Sequence, residues 1–336
     1  MSLESLAFTT RYVPGQKEGH YESFYQRGNH PDRPLAFWIR YTIFSPKGRS
    51  RDAIGELWSI FFDGETGRHV AAKEEYPLAE CAFSPDKLDV RVADRTLTGD
   101  AGGGTLTGEA VGSGNTIGWD LTYAGDAPPV YLIPRSMYTG GFPKAKSLVG
   151  VPLARYRGTV TVNGQPVEID DWVGSQNHNW GSQHTDYYAF GQVAGFDNAP
   201  DAFLEVITAQ TKVGPIKTPF MTLLVLRVGG REYELTSPNQ ARKAKGRFGY
   251  FDWTFTSETD DVRIEGHIAA PADAFVGLNY YNPPGGIKHC LNTKIGSCEL
   301  TVTDKRTGAT QTLRAANRAL FEILTDDRGH GVEIRG

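Results

Sequence analysis

One stretch of the chain, residues 170–188, concentrates the side chains that enzymes use for proton transfer. It holds two of the six Trp, two of the eight His, three Asp, and four Asn or Gln residues. So many polar groups are costly in a core unless each is hydrogen-bonded, and two Trp gain nothing on an exposed loop. We therefore predict a partly enclosed pocket, in which a carboxylate orients an imidazole for general acid/base catalysis and aromatic rings surround an apolar substrate. Its catalytic candidates are Asp171, His178, His184 and Asp186, and its substrate-binding candidates are Trp172, Gln176, Asn179, Trp180, Tyr187 and Tyr188.

A purely structural role for this segment is the main alternative. Asn177, Asn179 and Asp171 have side chains that commonly satisfy the backbone of turns. In that interpretation they form a hydrogen-bond knot, and Trp180 plugs the end of a barrel.

Metal binding and nucleophilic catalysis fit the segment less well. His178, His184 and Asp186 are suitable metal ligands by type, but the spacing of the two His matches neither a helical pair nor the usual iron motif. Ser175 and Ser182 lie near His residues without the Gly-Xaa-Ser-Xaa-Gly motif of a nucleophile elbow. We expect no metal and no organic cofactor.

Two further acids lie on predicted strands beside aromatic residues. In a strand, alternate residues share a face, so Glu56 points the same way as Trp58 and Glu205 the same way as Phe203. If these faces line an interior, burial raises the pKa of each carboxyl group and keeps a proton available at neutral pH. We include Glu56 as a catalytic candidate and Trp58 and Glu205 as substrate-binding candidates; the alternative is that both acids lie on solvated faces.

The elements that must position these residues are predicted to be strands. Period-two patterns recur along the chain, and its 39 Gly and 19 Pro punctuate them at short intervals, which is typical of an all-β sandwich or barrel. Asn163-Gly164 predicts a type I′ hairpin turn, and the Gly-rich tract 99–114 predicts another hairpin. We predict a helix over Arg314–Leu324 and a short basic turn near Asn239–Lys245. The predicted strands are Phe37–Phe44, Gly55–Phe62, Thr116–Tyr123, Tyr187–Val193, Ala202–Thr208, Thr222–Val228, Tyr250–Ser257, Val262–Ala269 and Ser297–Thr303.

Composition excludes several classes of partner. The 35 basic and 39 acidic residues give a net charge of -4, and no basic run is long enough to neutralise a row of phosphates, so we expect no nucleic acid. The most apolar stretch, Phe220–Val228, is too short to span a bilayer, and the first residues lack the features of a secretory signal. We expect a soluble cytoplasmic protein with three reduced cysteines. A peripheral membrane contact to collect substrate, and any oligomeric state, stay open.

Four short motifs resemble one family when taken in order along the chain: Phe37-Trp38-Ile39-Arg40-Tyr41-Thr42, Gly55-Glu56-Leu57-Trp58, Ile117-Gly118-Trp119-Asp120-Leu121 and Gln176-Asn177-His178-Asn179-Trp180-Gly181. They are similar to the lipocalin-like superfamily of carotenoid 1,2-hydratases (hydroxyneurosporene synthases). Its related members are AttH-like proteins, tocopherol cyclase and lipocalin-like Diels–Alderases.

The resemblance implies two tandem lipocalin-like (calycin-type) antiparallel β-barrels with few short helices, an apolar cavity at their junction, and no cofactor. We place the barrels at residues 1–185 and 186–336, with a boundary uncertain by about 15 residues. The segment His178–Gly181 corresponds to a stretch that closes the first barrel in the hydratases. Asn177 stands where they tend to carry Asp, which shifts attention to Asp171, Asp186 and Glu56.

We therefore expect a cofactor-independent hydratase, dehydratase or cyclase that acts on a C=C bond of an apolar terpenoid or polyketide-like substrate. A neutral carboxylic acid protonates the alkene, aromatic rings stabilise the cation, and His178 or His184 handles the proton of water. The alternatives are a pericyclase that acts by shape, as a Diels–Alderase does, and a non-catalytic carrier of an apolar ligand.

Overall fold

Strands dominate the computed structural model, which describes residues 2–213 and 216–336. Within these ranges the first sheet contains β1 (His20–Asn29), β2 (Leu35–Ser45), β3 (Ile54–Asp63), β4 (Val70–Pro77), β5 (Cys81–Phe83), β6 (Leu88–Val92), β7 (Arg95–Asp100), β8 (Gly103–Gly112), β9 (Asn115–Ala124), β10 (Val130–Tyr131), β11 (Ala145–Val162) and β12 (Gln165–Gly181). A small separate pair consists of β15 (Lys212–Val213) and β16 (Ile216–Lys217). The second large sheet contains β13 (Tyr187–Phe196), β14 (Ala199–Gln210), β17 (Met221–Val228), β18 (Arg231–Leu235), β19 (Lys245–Phe248), β20 (Asp252–Glu258), β21 (Val262–Ala269), β22 (Val276–Tyr281), β23 (Ile287–Asp304) and β24 (Thr310–Thr325).

The two large sheets have the same antiparallel connectivity. The first runs β4-β3-β2-β1-β12-β11-β9-β8-β7-β6-β5, with β10 paired to β11. The second runs β18-β17-β14-β13-β24-β23-β21-β20-β19, with β22 paired to β23. Apart from β5 and β6, each strand of the first sheet has a counterpart in the second. The chain therefore folds as two tandem barrels, as the sequence predicts.

The first sheet curls until its edge strand β4 meets β8 and β9. The Val111 N–H donates to a carboxylate oxygen of Glu74 at 3.0 Å, and the Asn115 amide donates to the Ala71 carbonyl oxygen at 3.3 Å. These contacts leave the first barrel nearly closed.

Both faces of β2 and β3 are buried, because one lines the first barrel and the other lies against the second. Phe37, Ile39 and Tyr41 belong to the core of the first barrel. Trp38 and Trp58, on the opposite face, pack with residues of the second. This double burial fixes the register of both strands, since a slip by one residue would exchange the two faces.

Most local predictions are confirmed. Each of the nine predicted strands overlaps an observed one, and Asn163-Gly164 forms the two-residue turn between β11 and β12, with φ angles of 48° and 79°. The Gly-rich tract forms β-hairpins through β7, β8 and β9. The predicted basic turn is the helix α1 (Pro238–Lys243), and the remaining helices are single 3₁₀ turns at Glu4–Ala7, Ser50–Asp52, Leu78–Glu80, Arg135–Met137 and Ala272–Ala274. Across the described residues, no helix is long and apolar enough to cross a bilayer.

The helix predicted over Arg314–Leu324 is wrong, because this stretch belongs to strand β24. Ala319, Phe321 and Ile323 face the interior of the second barrel. Leu320, on the other face, packs toward the first barrel. Because both faces of β24 are buried, apolar residues occupy positions that are polar in a half-exposed strand. The resulting pattern of apolar residues resembles that of a helix.

Candidate active site

His178 lies in a buried ionic cluster inside the first barrel. Its Nε2 is 2.7 Å from a carboxylate oxygen of Glu22, and its Nδ1 is 2.6 Å from the Leu6 carbonyl oxygen. Both oxygens can accept a hydrogen bond, so the ring is held in place by an acceptor at each of its nitrogens. The imidazole is stacked between Phe24 and Trp180, with centroid distances of 4.1 Å and 4.6 Å.

Glu22, which is fully buried on β1, is the centre of this cluster. Its oxygens also accept hydrogen bonds from Thr10 Oγ1 at 2.7 Å, from His20 Nε2 at 3.0 Å, and from the N–H groups of Arg11 and Tyr12. Burial raises the pKa of Glu22, but the hydrogen bonds from His178 and His20 outweigh it and hold that pKa well below its usual range. The cluster thus ties residues 6–12 across the barrel by a carboxylate that stays ionised.

A second buried polar region lies between the two barrels, and we call it the junction. It is formed by the outward faces of β1, β2, β3 and β12 and the facing sides of β13, β14, β22, β23 and β24. From the first barrel it receives Tyr25, Arg27, Trp38, Arg40, Glu56, Trp58, Lys73, Ser175, Asn177 and Asn179, and from the second Tyr188, Gln192, Glu205, Tyr280, Asn292, Lys294 and Glu322.

Glu205 is the acid at one end of the junction. It is 1 % exposed, and burial raises its pKa to about 8, a shift that Gln192 and Arg27 oppose only in part. Its strand neighbours Phe203 and Ile207 are apolar, which accounts for the desolvation. Its Oε2 has no hydrogen-bond partner within the described ranges. Glu205 is therefore a buried carboxylic acid that holds its proton at neutral pH.

Arg27 lies near Glu205 and belongs to a group of hydrogen-bonded side chains that come from both sheets. Its Nε donates to the side-chain oxygen of Gln192 at 2.8 Å, and that oxygen also accepts from Ser175 Oγ at 2.7 Å. The amide nitrogen of Gln192 donates to Asn177 at 2.9 Å. Hydrogen bonds between the two barrels thus fix the side chains next to Glu205.

His184 and Arg40 lie at the other end of the junction. The His184 ring stacks on Tyr21 at 3.9 Å, and its Nε2 donates to the Tyr281 carbonyl oxygen at 3.2 Å. Burial, with Arg40 nearby, lowers the pKa of His184 to about 3, so the imidazole is neutral and Nδ1 carries a free lone pair. The Arg40 guanidinium carbon is 4.5 Å from the centre of the Tyr280 ring.

Two further cations of the junction are paired with acids. Lys73 Nζ lies 3.0 Å from Glu56 and 4.4 Å from the centre of the Trp58 ring. Burial raises the pKa of Glu56, and Lys73 opposes that shift. Lys294, which is fully buried, lies 2.9 Å from a carboxylate oxygen of Glu322.

The predicted site residues separate into three groups. The junction contains Glu56, Trp58, Asn179, His184, Tyr188 and Glu205, whereas the interior of the first barrel contains Trp172, Gln176, His178 and Trp180. The others lie apart from both. Asp171 is a half-exposed partner of Arg157 at 2.9 Å, Asp186 accepts from the Lys212 N–H at 2.6 Å, and Tyr187 packs against Phe248 at the end of the second barrel. The three metal-ligand candidates therefore have different surroundings, and no group of three or more His, Cys, Asp or Glu that could hold a metal ion occurs in residues 2–213 and 216–336.

Sequence reasoning missed the residues that carry most of the junction's charge. Arg27 and Arg40 each alternate with an aromatic residue on the same strand face, Tyr25 and Trp38 respectively. The shared-face argument that selected Glu56 would have selected them. It would also have found Glu22, which shares a face with Phe24.

Two open clefts lie away from the junction. A cleft of about 680 Å³ at one end of the first barrel is lined by Leu35, Phe61 and Trp172 below a polar rim that includes His30. A neighbouring cleft of about 520 Å³ lies along the β11–β12 hairpin. Neither contains a buried acid, so we base the candidate site on the junction, which reaches the surface at the partly exposed Asn179 and Tyr188.

Comparison with known proteins identifies the fold. No family model matches the sequence. Two uncharacterized proteins of Mycobacterium tuberculosis, from strains CDC 1551 / Oshkosh and H37Rv, are each 24 % identical over 280 residues, which cover 82 % of this chain and 79 % of theirs. A crystal structure from Nitrosomonas europaea, provisionally assigned as AttH, superposes with a TM-score of 0.57 at 13 % identity and covers 93 % of this chain and 98 % of its own. The crystal structure of CghA gives a TM-score of 0.56 at 10 % identity, over 96 % and 95 % of the two chains. These likenesses show an AttH-like, lipocalin-like fold.

Proposed function

We propose that the protein is a cofactor-independent enzyme that adds water to, removes it from, or cyclises across a C=C bond of an apolar terpenoid or polyketide-like substrate bound at the junction. The observation that carries the proposal is Glu205, a buried carboxyl group with a pKa of about 8 and an oxygen that has no partner in the described part of the chain. A catalytic acid needs a proton at working pH and a free side to deliver it from.

Glu205 supplies the proton in hydration and takes one back. Its carboxyl group donates a proton to one alkene carbon as a water oxygen bonds to the other carbon. That oxygen then loses a proton to the Glu205 carboxylate, directly or through solvent, which restores the acid. The net change is addition of one water; dehydration is the reverse. In cyclisation a second nucleophilic group of the substrate takes the place of water.

The substrate's double bond is conjugated to a carbonyl group in this proposal. A free carbocation would need open aromatic faces, but Lys73 lies over Trp58, Arg40 over Tyr280, and Lys294 is 5.3 Å from the centre of the Trp38 ring. Cations in these positions repel a carbocation and stabilise an enolate. We therefore favour conjugate addition over the carbocation route.

The first test follows labelled water into product. Apolar polyenes and unsaturated carbonyl compounds are incubated with the protein in heavy-oxygen water, and product masses are measured. We expect label uptake, and we expect Glu205→Gln to slow it by about a hundredfold or more, the usual contribution of a general acid. The matched control is Glu299→Gln, at an exposed acid paired with Arg314, which should leave the rate unchanged. Absence of label and of isomerised product across the panel, or an unaffected Glu205→Gln, contradicts the proposal.

The second test is the pH profile of kcat. Glu205 must be protonated, so the rate should be constant near neutral pH and fall as pH rises through about 8. In Glu205→Gln the residual rate should lose this alkaline limb. An alkaline limb that persists in the variant would assign the titration to another group.

A pericyclase that works by shape is the second candidate function. The indole N–H groups of Trp38 and Trp58 have no acceptor among residues 2–213 and 216–336, so they can donate to a substrate carbonyl without proton transfer. This function predicts cyclised product with no label and no dependence on Glu205. Tight binding of apolar compounds with no turnover would instead indicate a carrier.

A further inference from the structure

Arg40 differs from Lys73 and Lys294 because no carboxylate of the described residues lies within ion-pair distance of it. It is 4 % exposed, and its single hydrogen bond to the described residues runs from Nε to Ser23 Oγ at 2.8 Å. Lys73 and Lys294, by contrast, each have a carboxylate oxygen at 3.0 Å or less. Against the effect of burial, Glu56 and Glu322 help to raise the pKa of Arg40 without contacting it, so the guanidinium stays charged while its Nη1 and Nη2 are left without an acceptor in the described residues. A buried guanidinium in this state indicates a site that an anion completes.

Unpaired hydrogen-bonding atoms around Arg40 are mostly donors. Buried donors with no partner in the described residues are Arg27 Nη2, Trp38 Nε1, Trp58 Nε1 and Asn292 Nδ2. The unpaired acceptors facing the junction in the same residues are Asn179 Oδ1, Glu56 Oε1 and Glu205 Oε2. Glu56 Oε1 lies 3.0 Å from Lys73 Nζ, and burial raises the pKa of Glu205 to about 8, so that it carries a proton at neutral pH. Buried polar groups are rarely left unpaired in native proteins, so this surplus of donors calls for a ligand rich in acceptors.

Charge in the junction points the same way. Of the four cations Arg27, Arg40, Lys73 and Lys294, the two lysines are paired with the carboxylates of Glu56 and Glu322, whereas neither arginine has a carboxylate of the described residues within ion-pair distance. A neutral hydrocarbon would leave both the charge and the donors unsatisfied.

We propose that Arg40 binds a carboxylate group of the substrate, so that the junction takes an apolar acid and not a neutral hydrocarbon. The Nη1 and Nη2 atoms donate in parallel to the two carboxylate oxygens, and the Tyr280 and Trp38 rings flank the guanidinium. The inference rests on the proposed function in that it names a substrate class for the same site, but it concerns binding alone.

The test compares one apolar acid with its ester. The fluorescent polyene cis-parinaric acid and its methyl ester have the same chain, and the ester lacks the charge. We expect the acid to bind at least about tenfold more tightly, since hydrogen bonds to a charged group contribute roughly 1.5–3 kcal/mol and 1.4 kcal/mol is a factor of ten. In Arg40→Gln the acid should lose this advantage while the affinity of the ester is unchanged. Arg40→Lys, which keeps the charge without the paired donors, should retain part of it. Arg314→Gln, at an exposed arginine, is the matched control and should retain all of it.

Ester binding reports that a variant is folded and its pocket intact. Equal affinity of wild type for acid and ester, or an equal loss of both in Arg40→Gln, overturns the carboxylate proposal and leaves acid/base catalysis at the junction standing. If neither compound binds wild type, the carboxylate proposal fails together with the apolar pocket. If the acid preference holds but Glu205→Gln has no effect on turnover, the carboxylate proposal survives and the proposed mechanism fails.

Discussion

Two buried glutamates of this protein have pKa values shifted in opposite directions. The pKa of Glu22, in the first barrel, is lowered, and that of Glu205, at the junction, is raised. Both are at most 1 % exposed, so desolvation raises the pKa of both. Glu22 overcomes it with two imidazoles, a hydroxyl and two backbone N–H groups. Glu205 has an amide beside it and an oxygen without a partner in the described residues.

The difference shows that burial alone does not make a catalytic acid. A carboxylate surrounded by donors is ionised and immobile, and it serves stability. A carboxyl group with too few donors keeps its proton, costs stability when ionised, and is available for chemistry. The Glu22 cluster therefore has the properties of a structural site, and Glu205 has those that the proposed function requires.

The largest difference should appear when each glutamate is replaced by glutamine in turn. Glu22→Gln replaces a buried carboxylate that accepts at least five hydrogen bonds by an amide, half of which is a donor that faces other donors, and we expect it to lower the free energy of unfolding by about 3–5 kcal/mol. Glu205→Gln replaces a neutral acid by an amide of similar shape and should not lower the free energy of unfolding at neutral pH. Urea unfolding of both variants beside wild type measures the difference. Equal losses would show that the two sites do not differ as described.

A smaller effect, of opposite sign at the two sites, should appear when pH is varied. The folded pKa of Glu205 lies above its unfolded value, so its contribution is fully present below about pH 4.5 and is lost as pH rises through about 8. The folded pKa of Glu22 is depressed, so its contribution is present above the unfolded value and is lost as pH falls through the folded one. Each group can change stability by at most about 1.4 kcal/mol per pH unit within its window.

Measuring the free energy of unfolding at several pH values isolates the contribution of Glu205 to stability. The difference between wild type and Glu205→Gln should be small below about pH 5, should grow in favour of the variant as pH rises from there, and should level off above about pH 8. A difference that does not vary with pH would mean that Glu205 is ionised throughout.

The sequence predicts the strands well because their signals are local. Alternation over five or six residues, and the positive φ that Asn163 and Gly164 accept, need no knowledge of the rest of the chain. The helix prediction for β24 fails because the first barrel covers the second face of this strand, and the residues of that barrel are distant in sequence.

The chemistry of the site depends on contacts that local patterns do not contain. Glu22 and His178 are 156 residues apart in sequence, and Arg27 and Gln192 are 165 apart. The shared-face rule indicates that an acid or arginine is buried, as it did for Glu56 and Glu205. It does not indicate which groups from another sheet surround it, and those groups decide the protonation state.

The smallest effect is expected at Asp171, an acid that belongs neither to the Glu22 cluster nor to the junction. Its partners Arg157 and Arg155 are exposed, and such surface pairs contribute about 0–1 kcal/mol. Asn also accepts the left-handed backbone that Asp171 adopts, with φ of 57°, so Asp171→Asn introduces no strain. We expect unfolding within about 0.5 kcal/mol of wild type and an unchanged turnover rate. A rate loss of tenfold or more would move the chemistry from the junction to the end of the first barrel, where Asp171 adjoins Trp172 and its cleft, and Glu205 would then be a buried acid without a catalytic role.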